Sequence, residues 1–265
     1  HIKMKKSIKI ISIMMIAVIA MLSLAGCGSD EGTDASGDMP TYIAITEPTY
    51  APFESTDDDG NLVGFDMDLL NAIAEDQGFK VEYQIFEFDA LIPAVQAGNA
   101  DIIAAAMNVT DERAEQVDFS EKYFDSGKVI VVTADNTTIS GVDDLTADMS
   151  VAAQIGTTEG DYVQELAADG TIAEAVILNQ TTQCIMQLQN GDVDAVILDA
   201  PVAQYYFNLY DDIKLIDALI DPAPMAFAVA KGNDDLLEKI NAGLANVKEN
   251  GTYDELYAKW IEGQE

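Results

Sequence analysis

Apolar side chains recur along residues 41–261 with the period of a helix in some segments and of a strand in others. The segment DMDLLNAIAEDQG repeats apolar residues at helical spacing and ends at Gly78, and KVEYQIF after it alternates polar and apolar residues. The same succession resumes from Met149, with further strands expected near 150–155, 175–178 and 194–198. Strands that alternate with helices predict an α/β protein.

Two stretches with the same spacing of Gln, Gly and Asp suggest two lobes of one architecture. VQAGNADIIAA (95–105) and LQNGDVDAVIL (188–198) share apolar-Gln-x-Gly-x-x-Asp before an apolar strand. Any two βα units can share this by chance, and the alternative is a pair of related lobes. FDSGKVIVV (124–132) and IDPAPMAFAVA (220–230) are candidate connections between them. The expected domains are residues 41–126 and 223–265 for the first lobe and 127–222 for the second.

The C-terminal pattern predicts two consecutive helices. Asn233 is expected to cap the first, and Asn250-Gly251 is expected to end it. Thr252 and Glu255 then match a capping box for the last helix.

The first 27 residues have the layout of a secretory leader. Four lysines precede an apolar run from Ile10 to Leu24, and small residues follow in LAGC. The run is too short for a mature transmembrane helix, so residues 1–26 are expected to be a signal peptide, with a retained signal anchor as the alternative. LAGC resembles the lipobox of bacterial lipoproteins, which implies a lipidated Cys27. Residues 27–40 are small, acidic and aperiodic, as in a flexible tether.

Carboxylates dominate the charge of the chain. Asp and Glu number 47 against 13 Lys and Arg, which gives a formal net charge of −34. The predicted leader contains four of the lysines and no acid, so its removal makes the balance still more negative. Such a surface repels nucleic acid and anionic lipid headgroups. We expect an extracellular protein that meets the membrane through its lipid alone, and a monomer is the default.

The residue inventory excludes several catalytic and metal-binding chemistries. The one histidine, His1, precedes the predicted mature chain, which excludes histidine metal sites and Ser-His or Cys-His catalysis. Cys184 is the sole cysteine besides Cys27, so no intrachain disulfide is expected. DDDGNLVGFD resembles a calcium loop, but Ser55 and Asp66 stand at its first and last ligand positions, so a hairpin turn is expected instead. No metal or cofactor is predicted.

Polar residues follow the predicted strands at their carboxyl ends, where ligands bind in open α/β sheets. They are Glu47, Asn108, Thr157, Thr158 and Asp199. Glu47 and Asp199 are possible acceptors for an ammonium group, with a solvated acid as the favoured alternative for each taken alone, because the chain has so many acids. The loop GTTEG, before a helix, offers N–H and hydroxyl donors to a carboxylate, with a plain turn and a threonine cap as the alternative.

Arg113 is the single arginine of the chain, and it falls in the first turn of a predicted helix. A cation there is unfavourable by about 0.3–1 kcal/mol because of the helix dipole. That position is explained if the guanidinium and the free N–H groups grip one carboxylate together. The alternative is a local ion pair with Asp111, Glu115 or Asp118, which would be weak.

Six segments between residues 41 and 261 carry a resemblance to a known family. In order they are YAPFES, GNLVGFDMDLLNAIA, FDALIPAVQAGNADIIAAAMNVTDERAEQVDFS, GTT, NGDVDAVILDAP and NGTYDELYAKW. They resemble the extracellular solute-binding proteins of polar amino-acid ABC importers. The resemblance implies a two-lobed fold of the type II periplasmic-binding-protein kind, in which two hinge strands join α/β lobes that close around an amino acid.

The resemblance also implies roles for the two charged ends of the ligand. Arg113 would grip the α-carboxylate with help from Asn108 and the Thr158 loop. Asp199 would bind the α-ammonium group.

The remaining implied contacts surround the ligand side chain and backbone. Tyr50 and Phe88 would enclose the side chain. Backbone groups at Ala105 and Ala106 would complete the cage, and Gln154 lies where family members vary with the ligand.

Three departures from the family pattern weaken any assignment to one amino acid. Glu47 stands where a shorter aspartate is usual, Asn108 replaces Ser or Thr, and Leu198 precedes Asp199 where some glutamine binders carry histidine. YAPFES and GTT lean slightly towards the basic-amino-acid branch, in which Asp66 could meet a cationic side chain.

The function implied by the resemblance is that of a receptor and not of an enzyme. We expect a lipid-anchored protein on the outer face of a bacterial cell membrane, which closes on a free polar or basic L-amino acid and delivers it to an ABC permease. One alternative is a secreted dehydratase resembling those that act on prephenate or arogenate, with Glu47 as its acid. A sensory ligand-binding module is another.

Overall fold

The computed structural model describes residues 39–264, without the side chains at 217–219 and 264. The predicted signal peptide, the lipidation site Cys27 and nearly all of the predicted tether lie outside the described residues. Within 39–264, no helix is long and apolar enough to cross a membrane. The described part has the predicted α/β fold, with two five-stranded sheets and one two-stranded hairpin.

The first sheet combines strands from both ends of the described chain. Its strands are β1 (Thr41–Thr46), β4 (Lys80–Ile85), β5 (Ile102–Ile103), β6 (Val117–Phe119) and β12 (Ala228–Ala230), in the order β4-β1-β5-β12-β6. Strand β1 runs parallel to β4 and β5, whereas β12 is antiparallel to β5 and β6. Its helices are α1 (Phe65–Gln77), α2 (Leu91–Gln96), α3 (Asp111–Ala114), α7 (Asp234–Glu249) and α8 (Thr252–Trp260). We call this sheet and its helices the first lobe.

Helix α1 forms much of the interior of the first lobe because its apolar residues share one face. Leu69, Leu70 and Ile73 are fully buried. Helix α7 packs closely against this face at Gly243, where an added Cβ atom would lie 2.7 Å from the Ile73 Cγ2 atom. The helix ends at Gly78, as predicted, because this residue adopts the left-handed conformation with φ 69°.

The segment that resembles a calcium loop is a hairpin. Strands β2 (Ser55–Thr56) and β3 (Leu62–Val63) pair antiparallel across it. The turn is closed internally, since the Asp57 Oδ1 atom accepts a hydrogen bond from the Asn61 N–H at 2.8 Å, and Gly60 provides a positive φ of 83°. The hairpin prediction is therefore confirmed.

The second sheet is built from the middle of the chain. Its strands are β7 (Phe124–Thr133), β8 (Ser150–Gln154), β9 (Glu174–Leu178), β10 (Ala195–Asp199) and β11 (Ile213–Met225), in the order β11-β7-β10-β8-β9. Strand β8 is parallel to β9 and β10, and β7 is antiparallel to β10 and β11. Its helices are α4 (Thr158–Ala168), α5 (Thr181–Asn190) and α6 (Ala200–Leu209). We call this group the second lobe.

Strands β7 and β11 connect the two lobes and pair with each other. Their antiparallel register runs from Ile213 opposite Thr133 to Met225 opposite Phe124, with two shifts between. The predicted connections coincide with these strands, so the two-lobed fold with two hinge strands is confirmed. The predicted boundaries after residues 126 and 222 fall inside β7 and β11; as domain limits they stay a prediction.

The predicted capping box of the last helix is wrong. Gly251, in the left-handed conformation, is the N-cap of α8, and Thr252 is already the first helical residue. The Asn250 Oδ1 atom accepts a hydrogen bond from the Thr252 N–H at 3.0 Å. Because a side chain from the end of α7 fills the role, the Thr252 hydroxyl is not needed as a cap. Asn233 is the N-cap residue of α7, as predicted, although its side chain makes no capping hydrogen bond within the described chain.

Candidate functional site

The fold brings the predicted site residues together between the two sheets. Glu47 directly follows β1, Gln154 ends β8 and Asp199 ends β10, so carboxyl ends of strands from both lobes face one another. All of the predicted ligand contacts are buried except Thr158, which is half-buried. Because so many polar groups are withdrawn from water here, each must find a partner in the protein or in a ligand.

Arg113 lies in helix α3, in the first turn as predicted, and is 8% exposed. The Thr110 hydroxyl caps this turn by accepting a hydrogen bond from the Arg113 N–H at 3.2 Å. The guanidinium donates to the Asn108 carbonyl at 2.7 Å and, across the cleft, to the Gly156 carbonyl at 2.8 Å. Its Cζ atom lies 5.6 Å from the centre of the Phe88 ring. Arg113 therefore bridges the two lobes.

The local ion pairs considered for Arg113 are not formed in residues 39–264. Asp118 binds Lys231 at 2.9 Å instead, and neither Asp111 nor Glu115 lies within 4.0 Å of the guanidinium. A guanidinium has five N–H donors, and the two carbonyls use two of them. The remaining donors suit a carboxylate, which binds a guanidinium in a bidentate manner.

Asp199 is the buried acceptor on the second lobe. Its Oδ2 atom accepts a hydrogen bond from the Tyr50 hydroxyl of the first lobe at 2.7 Å. Burial, and then the charge of Glu159, raise the pKa of Asp199 to about 8, while Lys128 acts in the opposite direction. An ammonium group placed beside this carboxylate would favour its ionised form.

Glu159 and Lys128 are two buried charges that the sequence did not single out. Glu159 is 2% exposed and Lys128 is 5% exposed. The Glu159 Oε1 atom accepts a hydrogen bond from the Thr158 hydroxyl at 3.2 Å. Its position next to the predicted Thr158 is the one signal that could have identified it. It adds negative charge close to Arg113 and Asp199.

The GTTEG loop combines the two alternatives considered for it. The Thr157 hydroxyl caps helix α4 by accepting a hydrogen bond from the Gly160 N–H at 3.0 Å, which is the plain structural role. The Thr158 hydroxyl instead reaches the first lobe and donates to the Asn108 Oδ1 atom at 3.0 Å. Thr158 and Asn108 thus meet each other beside Arg113.

Glu47 and Gln154 form a direct contact between the lobes. The Gln154 Nε2 group donates to the Glu47 Oε2 atom at 2.9 Å and to the Asn179 carbonyl at 3.0 Å. The Gln154 Oε1 atom accepts from the Thr181 hydroxyl at 3.2 Å. Burial raises the pKa of Glu47, and hydrogen bonds from Thr49 and Gln154 oppose that shift. Protein partners therefore occupy the Gln154 amide, while the Glu47 carboxylate keeps acceptor capacity.

The backbone at Ala105 and Ala106 is held from behind by a buried acid. The Asp66 Oδ2 atom accepts hydrogen bonds from the Ala106 N–H at 2.8 Å and from the Tyr123 hydroxyl at 2.6 Å. Ala106 has a positive φ of 45°, which this bond stabilises. Asp66 is fully buried in the first turn of α1, so it supports the site from the interior of the first lobe. Phe88 also borders the site.

A cavity of about 620 Å³ lies against Arg113 between the lobes. Phe88, Ile92 and Arg113 line it from the first lobe, and Gly156 and Asp161 line it from the second. Its volume is within the range of small-molecule sites, about 300–1,000 Å³. The cavity adjoins the carboxylate-binding side of the predicted site.

Sequence comparison finds related proteins along nearly the whole described chain. The profile of the family described as bacterial extracellular solute-binding proteins, family 3, matches residues 42–263. A probable histidine-binding protein of Neisseria gonorrhoeae is 32% identical over 250 residues, 92% of each chain. The arginine-binding extracellular protein ArtP of Bacillus subtilis is 31% identical over 256 residues, 95% of this chain and 98% of ArtP.

Solved structures with the same fold include two proteins described as ancestral. An ancestral arginine-binding protein bound to arginine superposes with a TM-score of 0.79 at 40% identity, and the match covers 83% of this chain and 98% of that one. An ancestral amino acid-binding protein described as a precursor of cyclohexadienyl dehydratase gives a TM-score of 0.77 at 36% identity, with 83% and 95% covered. Both are two-lobed proteins of the predicted fold class.

Proposed function

Because the chain belongs to the bacterial extracellular solute-binding proteins of family 3, we propose that it binds a free L-amino acid between its lobes. One observation carries this proposal: Arg113 is buried in the cleft, where its guanidinium donates to two carbonyl oxygens and keeps further N–H donors for a ligand. Asp199 lies on the facing lobe as a buried acceptor. These two groups would bind the carboxylate and the ammonium group that every free amino acid carries.

The other proposed contacts follow from the same arrangement. Asn108 and Thr158, already in contact with each other, would assist Arg113. The rings of Tyr50 and Phe88 would enclose the ligand side chain. Glu47, Ala105, Ala106 and Gln154 complete the proposed site.

The charges of the cleft support a ligand with a cationic side chain. The buried acids Glu47, Glu159 and Asp199 are set against the buried cations Arg113 and Lys128. An amino-acid zwitterion uses one charge of each sign, which leaves two acids against one cation. Burial makes an uncompensated carboxylate costly, and a guanidinium or ammonium on the ligand would offset that cost. Relatives named for histidine and arginine agree with this choice.

We further propose that the protein is anchored outside the cell by a lipid on Cys27 and delivers its ligand to an ABC permease. The LAGC sequence after an apolar run supports the anchor. The family, whose members include named ABC-transporter binding proteins, supports the delivery. Labelling with a radioactive fatty acid, which a Cys27→Ala variant would lose, tests the anchor. Failure of both forms to take up label would contradict it.

Calorimetry with three related ligands tests the binding proposal. Arginine carries all three charged groups, agmatine lacks the carboxylate, and citrulline replaces the guanidinium with a neutral group of similar shape. We expect arginine to bind, citrulline to bind more weakly and agmatine to lose about 2–5 kcal/mol, because Arg113 would be left desolvated and unpaired. Equal binding of agmatine and arginine would contradict the role of Arg113.

The dehydratase alternative retains one supporting observation. Glu47 is a buried acid in the cleft, and burial raises its pKa, as a general acid requires. Incubation with prephenate and arogenate tests this reading. Turnover that disappears in a Glu47→Gln variant would favour the enzyme over the receptor.

A further inference from the structure

The segment Glu47–Tyr50, which we call the β1 loop, is held by second-lobe residues that are not among the proposed ligand contacts. The Tyr206 hydroxyl of α6 donates to the Thr49 carbonyl at 3.1 Å. The backbone N–H of Thr181, the first residue of α5, donates to the Thr49 hydroxyl oxygen at 3.2 Å. Thr49 therefore receives two hydrogen bonds from across the cleft.

Each of these bonds satisfies a group that would otherwise be short of a partner. Thr181 begins α5, where the N–H groups of the first turn have no acceptor within the helix. The Tyr206 ring is 4% exposed, stacks on Tyr210 at 6.3 Å between centroids and meets Tyr205 edge-on at 5.4 Å. Aromatic packing within the second lobe thus holds the ring that carries the Tyr206 hydroxyl.

The β1 loop carries two of the proposed ligand contacts, so its position matters for binding. The Thr49 hydroxyl also donates to the Glu47 Oε2 atom at 2.7 Å, and the next residue, Tyr50, donates to Asp199 at 2.7 Å. The hydrogen bonds that hold Thr49 against the second lobe therefore also position Glu47 and Tyr50. These bonds can form only when the two lobes are in contact.

We propose that Thr49 and Tyr206 are positioning residues for the ligand site, which hold the β1 loop against the second lobe when the protein closes on its ligand. The inference rests on the proposed amino-acid-binding function. Neither residue recognises the ligand side chain. The contacts from Tyr206 and Thr181 form after the ligand has entered, so they slow its departure without affecting its arrival.

Substitution of Tyr206 by Phe removes one hydrogen bond and keeps the ring. A neutral hydrogen bond of this kind contributes about 1 kcal/mol, which corresponds to about five-fold in affinity. Calorimetry and stopped-flow mixing of the full chain with arginine should show a Kd about five-fold higher, a faster dissociation rate and an unchanged association rate. The ratio of citrulline to arginine affinities should stay at its wild-type value, because no ligand contact is lost.

Tyr205→Phe is the matched control. It makes the same chemical change one residue away on the same helix, at a hydroxyl that donates no hydrogen bond within the described chain. A second pair tests the Thr49 hydroxyl: Thr49→Val loses both the oxygen that accepts from Thr181 and the donor to Glu47, whereas Thr49→Ser keeps both. We expect Tyr205→Phe and Thr49→Ser to bind as the wild type does and Thr49→Val to weaken. Thermal unfolding without ligand verifies that each variant is folded.

Three outcomes are distinguishable. A wild-type protein that binds no amino acid refutes the proposed function itself. Wild-type binding with unchanged Kd and dissociation rate in both Tyr206→Phe and Thr49→Val refutes the positioning role alone. A Tyr206→Phe variant that loses affinity for arginine but not for citrulline refutes it too, since Tyr206 would then contact the ligand side chain.

Discussion

Replacement of Arg113 by Ala is the sharpest test of the cleft. The side chain is 8% exposed and donates to the Asn108 carbonyl in its own lobe and to the Gly156 carbonyl in the other. Truncation removes the proposed partner of the ligand carboxylate together with one bond between the lobes. It leaves the desolvated carboxylate without a partner in the closed cleft.

The expected loss follows from the burial of these groups. Removal of one partner of a buried, hydrogen-bonded charge pair costs about 2–5 kcal/mol, which raises Kd by about 30-fold to 5,000-fold. The loss should be similar for every amino acid, because all share the carboxylate. Arg113→Lys keeps the charge but not the planar pair of donors, so we expect it to recover only part of the affinity.

Isothermal titration calorimetry measures the loss, and thermal unfolding provides an independent reading. Arginine at 100 times its Kd should stabilise the wild type by about 2.7 kcal/mol, and the same concentration should leave Arg113→Ala almost unshifted. A folded Arg113→Ala protein that binds arginine within three-fold of wild type would refute the reasoning. The guanidinium would then serve only to join Asn108 and Gly156.

Three further predictions concern other parts of the structure. Gly156→Ala places a Cβ atom 2.9 Å from the Asp89 Cβ atom of the facing lobe, so the lobes should close less well and calorimetry should show an affinity for arginine about ten-fold lower. Gly170→Ala is the control, because Gly170 shares the positive φ but has open space around it, and this variant should bind arginine normally. Burial raises the pKa of Asp199 to about 8, so below that pH a proton competes with the ligand ammonium group for the carboxylate. The affinity for arginine should therefore rise about ten-fold between pH 6 and pH 7. An affinity that does not change with pH would contradict this role of Asp199. Ile73→Ala empties a fully buried position and should lower the free energy of unfolding in urea by about 2–5 kcal/mol.

Local periodicity predicted most elements of the fold. Helix α1 and its end at Gly78 follow from apolar spacing and a left-handed glycine, and both connecting strands lie where Gly and Pro precede apolar runs. The failed capping box shows the limit of this approach. Thr252 has Glu255 at the spacing of a capping box, but the Asn250 side chain accepts the hydrogen bond from the Thr252 N–H instead. Sequence spacing alone cannot decide which of two neighbouring residues caps a helix.

The proposed site residues were also chosen from a local pattern in the sequence. Strand ends identify Glu47, Asn108 and Asp199, because the ends of parallel strands lie on one edge of a sheet. Glu159 and Tyr206 were missed because each lies within a helix and not at the end of a strand. Tyr206 meets the opposite lobe at Thr49, which is distant in sequence, so no local pattern marks this contact.

The place of β12 between β5 and β6 in the first sheet has a consequence for the nascent chain. Strand β6 pairs with β12, and most of β7 pairs with β11. Both sheets therefore remain incomplete until residues 213–230 have been translated. A polypeptide that cannot finish either sheet early is expected to stay unfolded for most of its synthesis. Ribosome-bound chains should therefore stay sensitive to protease until residues 213–230 have been translated, and the sensitivity should then fall abruptly. Protection of shorter chains would show that one lobe folds without its last strand.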